Sequence, residues 1–354
     1  MTPRPLCLLG LIALSTACDS SVETASLEVW HGTEQRVGHL GDAQPDFNLM
    51  GRAVANELVL VVNGGAPREL TLAEGRFGFR RLGTDGHFNA DVPIESLTPG
   101  VNTLELIAKG SKETARQTIT LRRESTDPPG LPFEAFWPSV TEPQDVGQFV
   151  DGEWELDGQG DVAGLRSRQP LYDRLFLIGN RTWSDYEVRT SIIVHEVAGQ
   201  TGPHSGAPGA GLIFRFQGHS VDPPRFPDAQ PKWGFQPFGA ILWLRWNSGP
   251  DGIPSSQFYR GDRNESSDVP GTRSTSGRYH LRAQCTTDPD HPETTTYRLK
   301  VWPFDSPDGE PSAWALEIPQ SSATALRSGG VALVAHHVDV TFGNVDVRPV
   351  TQAR

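Results

Sequence analysis

The sequence predicts an all-β protein made of two β-sandwich domains. Gly and Pro, at 37 and 29 of 354 residues, separate short runs in which apolar and polar side chains alternate. This pattern is typical of strands joined by tight turns. No window carries apolar residues at the spacing of an amphipathic helix. A chain of this length exceeds most single domains, so two domains are expected.

The first residues predict export and a lipid anchor. A positively charged start precedes an apolar core over residues 6–14, and Leu14-Ser-Thr-Ala-Cys18 follows. An apolar stretch this short is typical of a secretory signal and does not span a bilayer as a permanent helix. The residues before Cys18 resemble the lipobox of bacterial lipoproteins. That resemblance implies a signal peptide at 1–17, acylation of Cys18 and a lipidated tether at 18–25. Ordinary secretion, with cleavage near Ala17, is the alternative.

The anchor predicts where the chain works and what its cysteines do. The protein is expected in the bacterial cell envelope, outside the cytoplasm, held to a membrane through the lipid on Cys18. Which membrane holds it is left open. Cys7 is removed with the signal, so Cys285 is the one remaining thiol and no intrachain disulfide is expected. The net charge of −12 argues against a nucleic-acid-binding protein.

Residues 26–123 predict the first sandwich. Asn63-Gly-Gly lies between two of its runs and predicts a tight hairpin, because Asn and Gly tolerate a positive φ. The predicted strands are Leu27–Trp30, Glu57–Val62, Arg68–Leu72, Arg76–Arg80, Gly86–Val92, Leu97–Ile107 and Ala115–Leu121. The order Phe88…Leu97-x-x-Gly100-x-Asn102 resembles the last strands of bacterial Ig-like modules. The resemblance implies an Ig-like spacer in which Gly100 makes a corner and Asn102 hydrogen-bonds across it.

A linker is predicted at residues 124–134. Three prolines fall within Glu124–Pro132, and such segments are extended and semi-rigid. The linker is therefore expected to keep the first domain apart from the second, which occupies residues 135–350.

The second domain carries an ordered series of short motifs. They are Asp151-Gly-x-Trp154, Trp183-x-Asp-Tyr-x-Val188, Gly211-Leu-Ile-Phe-Arg215, Tyr297-x-Leu-Lys-Val-Trp302 and Phe342-x-Asn-Val-x-Val347. The series resembles the laminin-G-like, concanavalin A-like jelly-roll domains of bacterial surface proteins, and a bacterial family linked to hydrolysis of 3-keto-glycosides. The resemblance implies a concanavalin A-like jelly-roll sandwich. This fold carries lectins, lyases, hydrolases and adhesion modules, so it does not decide the function.

Strand alternation predicts the candidate ligand-binding residues. If Leu212, Phe214 and Phe216 point into the core, their neighbours in that strand point outward. Aromatic rings pack on the apolar faces of sugars, while Arg and Lys donate to hydroxyl or carboxylate groups. The candidates are Arg215, Gln217, Trp243, Arg245, Lys300, Trp302 and His195. A basic groove on an acidic protein would fit an acidic or oxidised sugar. An ordinary sheet surface with Arg–carboxylate pairs is the alternative.

Acidic residues on one predicted strand suggest a second kind of site. Glu153, Glu155 and Asp157 alternate, and laminarinase-type glucanases on this fold carry such acids as nucleophile and acid/base. Gly158-Gln-Gly160 breaks the strand here. A polar outer face, with Trp154 and Leu156 inward, is the favoured interpretation.

Histidines and a loop of acids complete the candidates. The histidines lack metal-ligand spacing, and His336 and His337 would point to opposite faces if they lie in a strand. Asp305, Asp308 and Glu310 lie in a Gly-containing loop and offer oxygen ligands for a structural calcium ion. No other cofactor is expected.

The sequence favours non-catalytic binding of a carbohydrate or glycoconjugate, and no catalytic residue is assigned. One alternative is a glycan-active hydrolase or lyase, in which Arg215, Arg245 and Lys300 position the substrate. It requires a carboxylate or histidine in the groove near Arg215. Another alternative is a protein-binding adhesion or structural module, which requires an exposed apolar patch.

Overall fold

The structure is a computed structural model, and it describes residues 21–75, 81–199, 201–202, 205–220, 231–232, 238–260, 266–269 and 277–350, with only the backbone at 266–269. The predicted signal peptide, Cys18 and the predicted strand Arg76–Arg80 lie outside the described residues. The described chain is all-β, as predicted. It contains no helix long enough and apolar enough to cross a membrane.

Eight strands of the described chain form the N-terminal sandwich. They are β1 (Ser26–Val29), β2 (Glu34–Val37), β3 (Asp46–Val54), β4 (Glu57–Val62), β5 (Arg68–Leu70), β6 (His87–Pro93), β7 (Gly100–Lys109) and β8 (Thr114–Arg123). A sheet ordered β1-β3-β6 faces a sheet ordered β2-β8-β7-β4-β5. Alternating apolar residues of both sheets, such as Leu49, Leu58 and Leu106, are buried between them. A short 3-10 helix, Ile94–Ser96, connects β6 to β7.

Two local predictions in this sandwich are confirmed. Asn63 and Gly64 both have positive φ, at 50° and 68°, at the hairpin that follows β4. Asn102 accepts from the Thr98 backbone N–H at 2.8 Å and donates to the Thr98 carbonyl at 2.7 Å, across the corner that Gly100 makes. These contacts tie the start of β7 to the loop before it. The wider resemblance to Ig-like modules stays a prediction.

Sequence alternation did not predict β2 and β3. β3 lacks alternation because seven of its nine residues are buried. Leu49 faces the N-terminal core, whereas Met50 packs into the core of the second sandwich. A strand covered on both faces loses the polar half of its pattern. Contact with the second sandwich therefore hides this strand from sequence reasoning.

Among the residues that the structure describes, sixteen strands form the second sandwich. They are β9 (Phe133–Ala135), β10 (Gln148–Asp151), β11 (Trp154–Asp157), β12 (Gly164–Ser167), β13 (Arg174–Ile178), β14 (Tyr186–Val197), β15 (Gly209–Phe216), β16 (Ala240–Arg245), β17 (Ser255–Tyr259), β18 (Ser266–Val269), β19 (Arg278–Thr287), β20 (Thr294–Pro303), β21 (Leu316–Ser321), β22 (Gly330–His336), β23 (Val338–Phe342) and β24 (Val345–Pro349). Three 3-10 turns accompany them, Trp137–Ser139, Pro143–Asp145 and Gly160–Val162.

These strands form two antiparallel sheets of a concanavalin A-like jelly roll, as predicted. The seven-stranded sheet has the order β10-β13-β22-β15-β16-β17-β18. The nine-stranded sheet has the order β11-β12-β23-β14-β19-β20-β21, with β24 beside β14 and β9 beside β24. The main core lies between them and includes Phe176, Tyr186, Leu212 and Leu281.

A second apolar layer covers the other side of the seven-stranded sheet. It contains alternate residues of β13, β15, β16 and β22, such as Leu175, Ile213 and Val334. Ala43, from the N-terminal sandwich, and Phe238 pack on it. Among the described residues, these side chains cover this face of the seven-stranded sheet.

The two sandwiches lie directly against each other. Arg81 Nε donates to Asp151 Oδ1 at 2.7 Å, and both side chains are almost fully buried. The His31 ring stacks on Phe149 with centroids 3.5 Å apart. The segment after β8 is also bound, since the Pro129 carbonyl accepts from Trp183 Nε1 at 2.8 Å. The prediction that the linker keeps the domains apart is wrong, while the domain boundaries stay a prediction.

Candidate functional site

Arg215 lies inside the sandwich, so its predicted outward orientation is wrong. It is 0% exposed. The register of β15 with β22 shifts between Phe214 and Phe216, and Arg215 has a φ of 54°. This β-bulge adds a residue and breaks the two-residue alternation. Phe216 consequently joins the outer apolar layer, and Arg215 turns toward the nine-stranded sheet.

The Arg215 guanidinium is fully bound there. Nη2 donates to Asp185 Oδ1 at 2.9 Å and to Thr287 Oγ1 at 2.8 Å. Nη1 donates to Thr295 Oγ1 at 2.9 Å and to the Leu326 carbonyl at 2.7 Å. Nε donates to the Ser184 carbonyl at 3.4 Å. A guanidinium has five N–H donors, and each has an acceptor. Arg215 therefore joins the two sheets and has no donor left for a sugar.

Gln217, Trp243 and Arg245 do not share a groove with the other candidates. Gln217 Nε2 donates to the Ser328 carbonyl at 2.8 Å. Trp243 and Arg245 share the outer side of β16, as alternation predicted, but they are only 5% and 9% exposed. The Arg245 guanidinium lies 4.2 Å from the centre of the Trp243 ring. Trp243 Nε1 donates to Gln257 Oε1 at 2.8 Å.

Lys300 and Trp302 lie on the outer side of the nine-stranded sheet, with other rings and cations. We call this surface the β19–β20 face. It consists of the outward side chains Arg278, His280, Arg282, Arg298, Lys300 and Trp302, together with Phe304 and Trp314 from the segment after β20. Tyr279, Leu281, Leu299 and Val301 point the other way, into the core. Alternation therefore predicted the orientation of this face correctly.

Aromatic rings at one end of the β19–β20 face are stacked and partly exposed. The His280 ring lies 5.1 Å from Trp302 and 3.9 Å from Phe304, both close to parallel. Phe304 is 36% exposed, and the Arg278 guanidinium lies 4.2 Å from its ring. Burial, followed by the charge of Arg278, lowers the pKa of His280. The neutral imidazole of His280 therefore forms an uncharged strip with the indole of Trp302 and the phenyl ring of Phe304.

Cations exceed carboxylates in the adjoining ion-pair network. Arg282 pairs with Glu187 at 2.8 Å and with Glu310 at 2.6 Å, and Arg189 pairs with the same two carboxylates. Lys300 joins through Glu310 at 3.2 Å. Burial alone raises the pKa of Glu187 and Glu310, but hydrogen bonds, chiefly from Arg282, outweigh it and lower both. The network thus holds three cations and two anions.

Lys300 has a structural partner for every donor. Its ammonium donates to Glu310 and to the carbonyls of Pro311 and Ser312, at 2.6 and 3.1 Å for the carbonyls. It fixes the loop that carries Trp314, whose ring centre lies 5.0 Å from Nζ. Lys300 therefore holds the segment that carries Trp314 in place. The indole and phenyl rings of the β19–β20 face belong to Trp302, Phe304 and Trp314.

The predicted calcium ligands Asp305, Asp308 and Glu310 do not form a metal site. The Glu310 carboxylate is bound by Arg282 and Lys300, so cations occupy the place that a metal ion would need. Within the described part of the chain, no three His, Cys, Asp or Glu side chains are placed to hold a metal ion.

His195 lies elsewhere on the nine-stranded sheet. Its Nε2 is 2.7 Å from Thr341 Oγ1, which donates to Asp157 at 3.4 Å. Asp157 also pairs with Arg166, and Glu155 pairs with Arg168 at 3.2 Å. The acids near β11 therefore form a polar outer face with arginine partners, and Trp154 is buried, as favoured. Leu156 is 36% exposed, so its predicted inward packing is incomplete.

His336 and His337 do not both lie in a strand, so the condition for opposite-facing side chains is not met. His336 ends β22 in one sheet, and β23 begins in the other directly after His337. His337 has a φ of 55°, which brings the two rings to 4.4 Å. Both reach Ser205, which sequence reasoning did not single out. Asp173 and Ser205 are far from the pair in sequence and carry no local motif, so only the fold assembles them.

The comparisons with known proteins reach only distant solved structures. No family model and no curated protein matches the chain. The Ca²⁺-bound exoplasmic/lumenal domain of VIP36 is 13% identical, with 62% of this chain and 91% of that chain covered and a TM-score of 0.35. Basic winged bean lectin with Tn-antigen is 11% identical over 61% and 98%, with a TM-score of 0.36. A bifunctional GH43-CE protein of Bacteroides eggerthii is 11% identical over 87% and 40%, with a TM-score of 0.39. These likenesses are too distant to carry an argument about function.

Proposed function

We propose that the protein is a lipid-anchored envelope protein that binds an acidic carbohydrate or glycoconjugate on its β19–β20 face. The observation that supports the proposal is the strip of partly exposed rings beside a network with more cations than carboxylates. Aromatic rings pack on the apolar faces of sugars, and arginines bind carboxylates through paired donors.

Charge favours an acidic ligand over a neutral one. The whole chain carries −12, yet the ion-pair network on this face carries one positive charge in excess. An anionic glycan is repelled by most of the protein surface and attracted to this face. The attraction acts between partly exposed groups, so salt weakens it.

We expect Trp302→Ala to weaken binding of acidic oligosaccharides at least about fivefold, since ring packing contributes about 1 kcal/mol. The soluble chain 19–354 is titrated with uronic-acid and neutral oligosaccharides at low and high salt. Phe136→Ala, which removes a ring that is 46% exposed outside the β19–β20 face, is the matched control.

Equal binding of neutral and acidic sugars would show that charge does not select the ligand and would overturn the preference for an acidic sugar. Loss of binding in Phe136→Ala, or unchanged binding in Trp302→Ala, would place the site elsewhere. No binding of any sugar would reject carbohydrate as the ligand and favour a protein partner.

The anchor is tested separately. In a bacterial host we expect the wild-type chain to incorporate labelled fatty acid and to fractionate with membranes, because several acyl chains hold a protein stably. Cys18→Ser should lose the label and appear in the soluble fraction. Cys285→Ser is the control, since this thiol is buried. A soluble, unlabelled wild-type chain would instead favour ordinary secretion.

A further inference from the structure

A second group of polar side chains lies at the corner between the two sheets, and the proposed sugar site uses none of them. The corner is His336-His337, where the chain leaves β22 and enters β23. It is fixed by the backbone, since the His337 N–H donates to the Leu171 carbonyl at 2.8 Å and the His337 carbonyl accepts from the Ala198 N–H at 2.9 Å. Loops from both sheets therefore meet here.

The corner aligns a hydroxyl, an imidazole and a carboxylate. Ser205 Oγ lies 2.9 Å from His336 Nε2, and His336 Nδ1 lies 2.5 Å from Asp173 Oδ1. His337 Nε2 is 2.7 Å from the same Ser205 oxygen. Asp173 and His336 are each 6% exposed, whereas Ser205 is partly exposed. The hydroxyl is thus the member that solvent reaches most easily.

Hydrogen-bond chemistry assigns the protons. Burial alone raises the pKa of Asp173, but the charge and hydrogen bond of His336 outweigh it and lower that pKa. A carboxylate only accepts, so His336 Nδ1 carries a proton. In the neutral form of His336, the form that can act as a base, Nε2 accepts from the Ser205 hydroxyl. Burial lowers the pKa of His337 to about 3. Neutral His337 then donates from Nε2 to Ser205 Oγ.

We propose that Ser205 is the nucleophile of a hydrolytic site for carboxylic esters, with His336 as general base and Asp173 as its positioning residue. Ser205 Oγ forms a bond to the ester carbonyl carbon while its proton passes to His336 Nε2. The bond to the alcohol oxygen then breaks, and His336 returns that proton to the alcohol. Water, deprotonated by the same nitrogen, attacks the acyl-serine; the bond to Ser205 Oγ breaks, the acid is released, and His336 returns the proton to Ser205 Oγ.

The neighbours of Ser205 include an aromatic ring and a guanidinium. Tyr172 packs edge-on against both histidines, with centroids at 5.3 and 5.5 Å. Gly206 lies so close to Arg245 that a Cβ there would meet the guanidinium at 2.1 Å. Arg245 therefore lies beside the Ser205 loop.

The test uses the soluble chain 19–354, p-nitrophenyl acetate as substrate and a fluorophosphonate probe whose attachment is mapped by peptide mass spectrometry. We expect turnover, a label on Ser205, and a fall in kcat/KM of at least about 100-fold in Ser205→Ala. Ser139→Ala, an exposed serine whose hydroxyl donates to the Phe136 carbonyl, should keep both turnover and label.

Asp173→Asn tests the positioning role. We expect kcat/KM to fall about 100-fold, and the limb of its pH profile that reports the base to move to lower pH, because the imidazolium loses its carboxylate. An unchanged pH profile would make Asp173 a structural partner only and overturn its assigned role.

The proposal is overturned if the wild-type chain shows neither turnover nor label, or if Ser205→Ala keeps both. If Ser205→Ala does not fold, the map of the wild-type label decides. A label on the peptide that contains Ser205 supports the site, and a label elsewhere or none rejects it. Sugar binding by Ser205→Ala is measured in parallel, so failure here is distinguishable from failure of the sugar site.

Discussion

Arg215→Met is expected to destabilise the protein by about 3–5 kcal/mol, because the fully buried guanidinium satisfies several buried acceptors and also pairs with Asp185, which is 27% exposed. Methionine fills most of the volume but leaves Asp185 without its cation and Thr287 and Thr295 without their donor. The guanidinium also donates to the Leu326 carbonyl, so this backbone group loses that hydrogen bond as well.

Urea denaturation, followed by tryptophan fluorescence, measures the loss. Arg348→Met is the matched control, because Arg348 is 68% exposed and its pair with Asp346 is a surface one, expected to contribute less than about 1 kcal/mol. Arg215→Met/Asp185→Asn should recover part of the stability, since no unpaired charge is then left. A stable Arg215→Met that no longer binds sugar would contradict the structure and restore Arg215 as a ligand residue.

Arg215 also shows why the candidate site was only partly predictable. The sequence alternates from Phe214 to Gln217, and alternation gave the correct face for Trp243 and Trp302. A single bulge residue shifts the pattern by one, and nothing local in the sequence marks it. The bulge places the Arg215 guanidinium beside acceptors on distant strands, such as Thr287 and Thr295.

The same limit applies to the corner at His336. The fold class, the hairpin at Asn63 and the corner at Asn102 were predictable because each depends on residues within a few positions. Ser205, Asp173 and His336 are brought together by three connections of the jelly roll. His337 turns the chain between sheets, so the rule that neighbouring strand residues face opposite ways fails there.

Packing between the two sandwiches was not predictable for a related reason. Pro-rich composition at 124–134 predicts an extended segment, but composition says nothing about what the segment binds. Buried contacts of the interface include those of Arg81 and Asn89 on one side with Asp151 on the other. None has a sequence signature, and Arg81 lies in a turn with a φ of 67°.

Arg81→Met should therefore destabilise the chain as strongly as Arg215→Met, by about 3–5 kcal/mol at neutral pH. Arg81 pairs with Asp91 at 3.1 Å and with Asp151 at 2.7 Å, and all three side chains are at most 2% exposed. Removing it leaves two buried carboxylates without this cation. Arg36→Met is the control at the same interface, because its pair with Asp145 is 31% and 42% exposed and should contribute less than about 1 kcal/mol.

The loss should depend on pH. In the wild type, burial raises the pKa of Asp91, but Arg81 outweighs burial and holds that pKa below its usual 3.8. The stability that Asp91 contributes is therefore present above about pH 4 and is lost in stronger acid. Without Arg81, burial dominates and raises the folded pKa above the unfolded one. The variant then gains protons on folding, and its deficit should shrink as pH falls from 7 toward about 5. Urea midpoints across this range measure it. If the loss of stability does not change with pH, it comes from lost packing and not from the two carboxylates that have lost Arg81.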